Sequence, residues 1–147
     1  MKPIYVLNGP NLNRLGKREP EIYGRTTLAE IEAMCHEAAG SHPLVFRQSN
    51  AEHELIDWIH EAIDDGAGII INPAGLSFRS VPLLDALKMF PGPIIELHIS
   101  NIHRRDEIYQ RSLISTAATA VIAGLGADGY LLAVQAMIRR FSDRVEG

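Results

Sequence analysis

One cysteine, Cys35, excludes an internal disulfide and leaves no thiolate-rich metal site within the chain. It sits in a helical pattern with Ile31, Met34 and Ala38, which reads as a buried, inert thiol rather than a nucleophile. Long apolar runs are missing as well. No stretch reaches transmembrane length, and the amino terminus lacks a basic segment followed by a signal-like apolar stretch. No membrane partner is expected, and a cytoplasmic setting is the default. Positive charge is not in excess: 14 Lys and Arg stand against 18 Asp and Glu, a formal charge of -4. That balance argues against a dedicated nucleic-acid binder. Gly 12 and Pro 8 are ordinary counts, so the chain is neither collagen-like nor low-complexity.

What is present suffices for one domain over residues 1–147, with 46% hydrophobic residues. A domain of this size buries roughly two-thirds of its unfolded surface. Pro3-Ile4-Tyr5-Val6-Leu7 reads as a first buried strand, stopped by Asn8-Gly9-Pro10. Residues Asn11 to Arg25 show no periodicity and read as a loop long enough to be a lid or a binding loop. Thr27-Leu28-Ala29-Glu30 is a capping box, so a helix starts there, with Leu28, Ile31, Cys35 and Ala38 at helical spacing and Gly40 at its end.

Leu44-Val45-Phe46 is a second strand. Ser49-Asn50-Ala51-Glu52 reads as a second capping box, ahead of a stripe of Leu55, Ile56, Ile59, Ala62 and Ile63, with Trp58 packing beside it. Ile69-Ile70-Ile71 has the all-apolar pattern of a strand covered on both faces. A helix from Val81 to Met89 is capped by Ser80, and Pro93 to Ile99 forms a fourth strand with polar groups at its end. Ser100 to Ser112 is a charged loop, and Ala120 to Ala123 a short fifth strand. Gly124-Leu125-Gly126 leads into a last helix with Leu131, Leu132, Val134, Ala136 and Met137 as apolar contacts, and Ser142 to Gly147 reads as a frayed or packed tail.

Strands alternating with helices of about three turns specify an α/β fold, an open parallel five-stranded sheet with helices on both faces. Ligands bind such sheets beyond the carboxyl ends of the strands, near a topological switch point. Asn8 to Asn11, Asn72 to Arg79 and His98 to His103 fall at those ends and are expected to converge on one pocket.

Several motifs fail on inspection. Gly124 to Gly129 imitates a phosphate loop but follows the last strand, with no later strand to carry a ribose-binding acid. No lysine-containing phosphate loop and no glycine-flanked serine elbow is present. Glu96, His98 and His103 lack a compact histidine–carboxylate spacing, so no metal is expected.

Two signals survive. The first long loop combines Tyr23 with cations, Arg18 foremost. A phenol normally titrates near 10, too high for a base at neutral pH, and a neighbouring guanidinium favours the phenolate. The second is Glu96 with His98. Residues two apart in a strand face one side, so Glu96 can hold one ring nitrogen and leave the other for proton transfer. A structural tyrosine and a buried ion pair are the plain alternatives.

The whole chain resembles type II 3-dehydroquinate dehydratase. The resemblance is carried by Leu7-Asn8-Gly9-Pro10-Asn11-Leu12-Asn13-Arg14-Leu15-Gly16, by Arg18-Glu19-Pro20 with Tyr23-Gly24, and by Asp57-Trp58-Ile59-His60. Glu96-Leu97-His98-Ile99-Ser100-Asn101-Ile102-His103 and Gly124-Leu125-Gly126 through Gly129-Tyr130 continue it in order. It implies a flavodoxin-like sheet, a homo-oligomer that is usually a dodecamer built from trimers, and a small hydroxylated keto-acid substrate dehydrated without a cofactor. On this resemblance Tyr23 is the base that forms an enolate, Arg18 holds it ionised, and His98 is the acid, partnered by Glu96. Asn11 supports the enolate with a bound water, and Asn72 orients the substrate. Ile99 and Ser100 cradle the carboxylate, and Asp85 reaches across a subunit interface.

Three positions depart from the family pattern. Its third strand usually leads into Thr-His-Thr-Ser, whereas this chain has Ser77-Phe78-Arg79-Ser80, and Phe78 cannot bond ring hydroxyls as histidine does. Leu84 stands where an arginine precedes the interface aspartate, and Tyr109 where a second substrate-side arginine is usual. Arg79, Arg105 and Arg111 are candidates to restore that charge. Phe78, Arg79 and Tyr109 thus join the expected substrate-binding set. Dehydration of 3-dehydroquinate is the favoured reading. A paralogue enolising another cyclic or sugar-like keto acid and a non-catalytic small-molecule binder stay open.

Overall fold

Successive side chains of each strand point to opposite faces of the sheet, and each face is covered by two helices. The structure, a computed structural model, describes residues 1–146, with side chains described through residue 143. The strands are β1 (Ile4–Asn8), β2 (Leu44–Gln48), β3 (Gly68–Asn72), β4 (Ile94–His98) and β5 (Ala120–Ala123). The helices are α1 (Pro20–Tyr23), α2 (Leu28–Ala39), α3 (Glu52–Asp65), α4 (Val81–Lys88) and α5 (Asp128–Glu146). All strand pairs are parallel, in the order β2-β1-β3-β4-β5. The switch point therefore lies between β1 and β3, where the chain reverses its direction of travel across the sheet.

Ile4, Val6, Ile70 and Leu97 pack against Ile31 and Cys35 of α2 and Ala133, Val134 and Met137 of α5. On the other face Tyr5, Leu7, Ile69 and Ile71 meet Leu55, Ile59 and Ala62 of α3 and Leu83, Ala86 and Leu87 of α4. Burial raises the Cys35 thiol to about 12, which keeps it protonated and inert. Close packing also explains Gly68: a Cβ there would lie 2.7 Å from Met137 Sδ.

The Thr27 capping box forms, with Glu30 N–H donating to Thr27 Oγ1 at 3.2 Å and Thr27 N–H to Glu30 Oε1 at 3.1 Å. Ser80 caps α4 by accepting from Leu83 N–H at 3.0 Å. The expected Ser49–Glu52 box does not form. Ala51 is the N-cap of α3; Ser49 Oγ accepts from Ala51 N–H at 2.9 Å and donates to Glu54, while Glu52 Oε2 accepts from Ser80 Oγ at 2.6 Å. A serine two residues before the N-cap satisfies a turn, and the glutamate is drawn to the start of α4 instead.

Three further expectations change. Leu132 and Ala136 are exposed, because the buried stripe of α5 runs through Tyr130, Ala133, Val134 and Met137. Where a frayed or packed tail was expected from Ser142 to Gly147, residues 142–146 continue α5, and Gly147 lies outside the described residues. The Asn11–Arg25 segment carries a 3-10 turn at Leu12–Arg14 and the one-turn helix α1, opened by Pro20 at its first turn. Among the described residues no helix is long and apolar enough to cross a membrane.

Candidate active site

The carboxyl ends of β1, β3 and β4 open into one cavity of about 160 Å³. Its walls are Pro10, Asn11 and Leu12 after β1, Asn72, Ala74, Gly75 and Phe78 after β3, and His98, Ile99, Ser100, Ile102, Arg105 and Tyr109 after β4. Arg18 and Tyr23 close it from the first loop. The volume suits one small ring, not a dinucleotide.

The bases of these loops are fixed by close backbone approach. Gly9 N–H donates to Asn72 O at 2.8 Å, and a Cβ on Gly9 would sit 2.6 Å from Pro73 O, so no side chain fits there. Asn11 takes a left-handed conformation (φ 72), which asparagine tolerates, and its N–H donates to Asn50 Oδ1 at 2.9 Å. Ala74 is also left-handed (φ 52), with its N–H donating to Asn72 Oδ1 at 3.2 Å.

Under the pocket floor Tyr130 enters from α5. Its hydroxyl donates to Asn8 Oδ1 at 2.7 Å and accepts from Asn72 Nδ2 at 2.9 Å. Burial pushes this phenol far above its ordinary value, so it is a neutral hydrogen-bonding post. Tyr130 fixes which way the Asn72 amide faces.

His98 and Glu96 project together from β4, and His98 Nε2 lies 2.5 Å from Glu96 Oε2. Glu96 is fully buried and does not line the cavity; His98 does, and its Nδ1 is the ring nitrogen left for a ligand. Ser115 Oγ donates to Glu96 Oε1 at 2.5 Å, Ser77 Oγ to Oε2 at 3.4 Å, and Ser77 and Ser112 hydroxyls are paired at 2.7 Å. Burial alone would raise the Glu96 carboxyl. Hydrogen bonds from His98, Ser115 and Ser112, together with imidazole charge, outweigh it and hold the group below its ordinary value. The carboxylate stays ionised and anchors the ring.

Tyr23 lies under two guanidinium groups. Arg18 Cζ is 4.8 Å and Arg105 Cζ 5.5 Å from its ring centroid. Phe78 stacks 6.0 Å from the His98 ring and meets Tyr109 edge-on at 5.5 Å.

Of the expected residues, Tyr23, His98, Arg18, Asn11, Asn72, Ile99, Ser100, Phe78 and Tyr109 meet at this cavity. Glu96 stands behind it. Arg79 and Asp85 are exposed and form no part of its wall, and Leu84 packs half-buried in the α3–α4 layer. Of the three arginines considered as replacement cations, Arg105 reaches the cavity, whereas Arg79 and Arg111 do not. Glu96, His98 and His103 form no metal-holding group, and no cluster of three His, Cys, Asp or Glu side chains suited to a metal occurs among the described residues.

Sequence reading placed Asn8 and Ser77 in segments expected at the pocket but gave no supporting role to them, to the Tyr130 hydroxyl, or to Ser112 and Ser115. Polar residues inside otherwise apolar strands and helices were the available signal for Asn8 and Tyr130. Nothing in the local pattern marks the serines.

Known proteins agree with this architecture. The family model described as dehydroquinase class II matches residues 2–138. The chain is 57% identical over 145 residues to 3-dehydroquinate dehydratase 2 of Agrobacterium fabrum, covering 97% of this chain and 98% of that one. It is 58% identical over 134 residues to 3-dehydroquinate dehydratase of Methylobacterium radiotolerans, covering 90% of each. Among solved structures, the type II dehydroquinase from Propionibacterium acnes superposes with a TM-score of 0.91 at 43% identity, covering 95% of this chain and 97% of that one. A 3-dehydroquinate dehydratase-like protein from Bifidobacterium longum gives 0.72 at 29% identity, over 97% of this chain and 99% of that one. With matched sequence, matched fold and a cavity at the switch point that gathers the family's motif residues, this chain belongs to the class II dehydroquinase family.

Proposed function

We propose that the protein converts 3-dehydroquinate to 3-dehydroshikimate, as a hydro-lyase working through an enolate. The observation that carries this reading is one cavity holding a tyrosine under two guanidinium groups opposite a histidine locked to a buried carboxylate. Tyr23, as phenolate, removes a proton from the carbon beside the substrate ketone. The C–H electron pair moves toward the ketone oxygen, and the resulting enolate is supported by Asn11 through a bound water. The enolate then re-forms the ketone as the bond to the β-hydroxyl breaks. His98 Nδ1 gives its proton to the departing oxygen, which leaves as water. The cycle ends with Tyr23 protonated and His98 lacking one proton, and transfer between them resets the site. The ketone itself acidifies the adjacent carbon, so the scheme draws on no cofactor.

Arg18 and Arg105 supply positive charge beside the phenolate, and Glu96 holds His98 by Nε2. Asn72 orients the substrate, the Ile99 and Ser100 amides with the Ser100 hydroxyl hold its carboxylate, and Phe78 and Tyr109 face its ring. Asp85 is exposed on α4, away from its own subunit's cavity, and on this reading reaches a neighbouring site within a dodecamer of trimers. The lone buried thiol suits a cytoplasmic setting.

A second reading has its own support. Phe78 and Tyr109 present an aromatic wall that offers ring hydroxyls no partner from Phe78. A paralogue enolising another cyclic or sugar-like keto acid would use the same base and acid. Ultraviolet absorbance of the conjugated enone product separates the two. Turnover of 3-dehydroquinate that collapses in Tyr23→Phe supports the first reading. Folded wild type without turnover supports the second. Sedimentation giving only monomer would remove the shared role of Asp85.

A further inference from the structure

Arg105 reaches the cavity from the turn after β4, and among the described residues its guanidinium has no carboxylate partner. Arg18 differs, since its Nε pairs with Glu19 at 3.4 Å. What holds Arg105 is therefore not charge pairing. Its main chain is stapled by Gln110, whose Nε2 donates to Arg105 O at 2.8 Å and His103 O at 3.3 Å. Its side chain rests on an aromatic face: Arg105 Cζ is 4.1 Å from the Tyr109 ring centroid, closer than its 5.5 Å to Tyr23. Tyr109 is braced in turn by the edge-on contact with Phe78, and Phe78 by its stack on His98. A continuous series of rings and one guanidinium thus spans the cavity from Tyr23 to His98.

We propose that Tyr109 is a positioning residue whose ring, buttressed by Phe78, shelves the Arg105 guanidinium over Tyr23. This rests on the reading of Tyr23 as the base. The physical reason is that an arginine must be both immobilised and left charged to serve here. A carboxylate would immobilise it while cancelling its field. An aromatic face attracts the guanidinium through its quadrupole and removes rotamers without neutralising it. The Tyr109 hydroxyl makes no hydrogen bond among the described residues, so the ring is what acts, not the hydroxyl. Arg105 stays fully available to negative charge on the phenolate oxygen and on an acidic substrate. Phe78 and Tyr109, the two departures from the family pattern that line this cavity, then form one device rather than two separate losses.

The test is steady-state turnover of 3-dehydroquinate by Tyr109→Phe, Tyr109→Leu, Arg105→Gln and the Tyr109→Leu/Arg105→Gln double variant, with crystal structures of the two Tyr109 variants. Tyr109→Leu is expected to lower kcat on the order of tenfold with a smaller change in KM, since a misplaced catalytic group costs rate. Tyr109→Phe is expected to restore the rate. The double variant should be no slower than Arg105→Gln alone, because both remove one interaction. A purely wall-forming Tyr109 would instead raise KM, and its loss would add to that of Arg105; either result overturns the proposal. The crystal structures decide independently of activity. Arg105 still over Tyr23 in Tyr109→Leu overturns the proposal even if the wild type turns over another substrate. Wild type lacking Tyr23-dependent turnover, with Arg105 displaced only in Tyr109→Leu, rejects the dehydratase reading and leaves the shelf standing.

Discussion

Tyr130 and Asn72, 58 residues apart in sequence, meet in the buried floor of the cavity, where the tyrosine hydroxyl accepts the asparagine amide hydrogen at 2.9 Å. The same hydroxyl donates to Asn8, so one atom from α5 ties the ends of β1 and β3 together across the switch point. Tyr130→Phe keeps the ring and removes this tie, leaving two buried amides each short of a partner. Destabilisation of about 1–3 kcal/mol is expected by urea unfolding. KM for the substrate should rise as Asn72 loses its fixed orientation. An unfolding midpoint and KM both equal to wild type would show the bridge to be idle.

The Glu96 carboxyl is held below its ordinary value of 4.5 in the folded state. The sign follows from linkage: a depressed carboxyl contributes stability that is present above the unfolded value and lost as pH falls through the folded one. Wild type should therefore lose unfolding free energy from about pH 5 downward, and Glu96→Gln should lose less over that window. The same variant removes the negative partner of His98, so kcat should fall while KM moves little. Denaturant unfolding across the acid range, with kinetics at neutral pH, reads both effects.

Gly9→Ala places a methyl where Pro73 O already stands, at 2.6 Å from the built Cβ. Backbone cannot yield as a flexible side chain can, so a cost of about 1–3 kcal/mol is expected from overpacking. Gly75→Ala is the matched comparison on the other strand loop, because its Cβ would meet nothing within 4 Å. Thermal unfolding of the two variants should differ accordingly, with only Gly9→Ala markedly lowered.

Phe78→His retains a flat ring against Tyr109 and His98 while adding a hydrogen-bonding edge to the cavity. A hydrogen bond to a substrate hydroxyl is worth about 0.5–1.5 kcal/mol net, or roughly two- to twelvefold in affinity. KM for 3-dehydroquinate should fall by that factor with kcat largely kept. Unchanged KM would mean that no ring hydroxyl faces Phe78.

The alternation of strands and helices, and a parallel sheet covered on both faces, were legible in the sequence because they follow from local periodicity, whereas the order of the strands across the sheet was not. Ile69-Ile70-Ile71, flanked by Gly66, Gly68 and Pro73, read as a strand covered on both sides, and the Thr27–Glu30 box marked its helix start without help from elsewhere. The Ser49 box misled because an identical local pattern was outcompeted by Ser80, which takes Glu52 from another element. The Leu132 and Ala136 assignment failed for a related reason. Periodicity in α5 permits neighbouring stripes, and only packing on the sheet selects the one through Tyr130 and Met137.

By itself the sequence determined the parallel α/β architecture, the three strand ends that converge, and Tyr23, His98 and Glu96 as the groups worth testing. Those features depend on residue type and short-range spacing, which the chain carries in plain view. Tertiary structure alone decided that Arg105, not Arg79 or Arg111, faces Tyr23, that Tyr109 carries it, and that three serines and Tyr130 fix the groups behind the cavity. Such contacts join residues far apart in the chain, and their partners are chosen by direction and distance in the folded state, which no local pattern encodes.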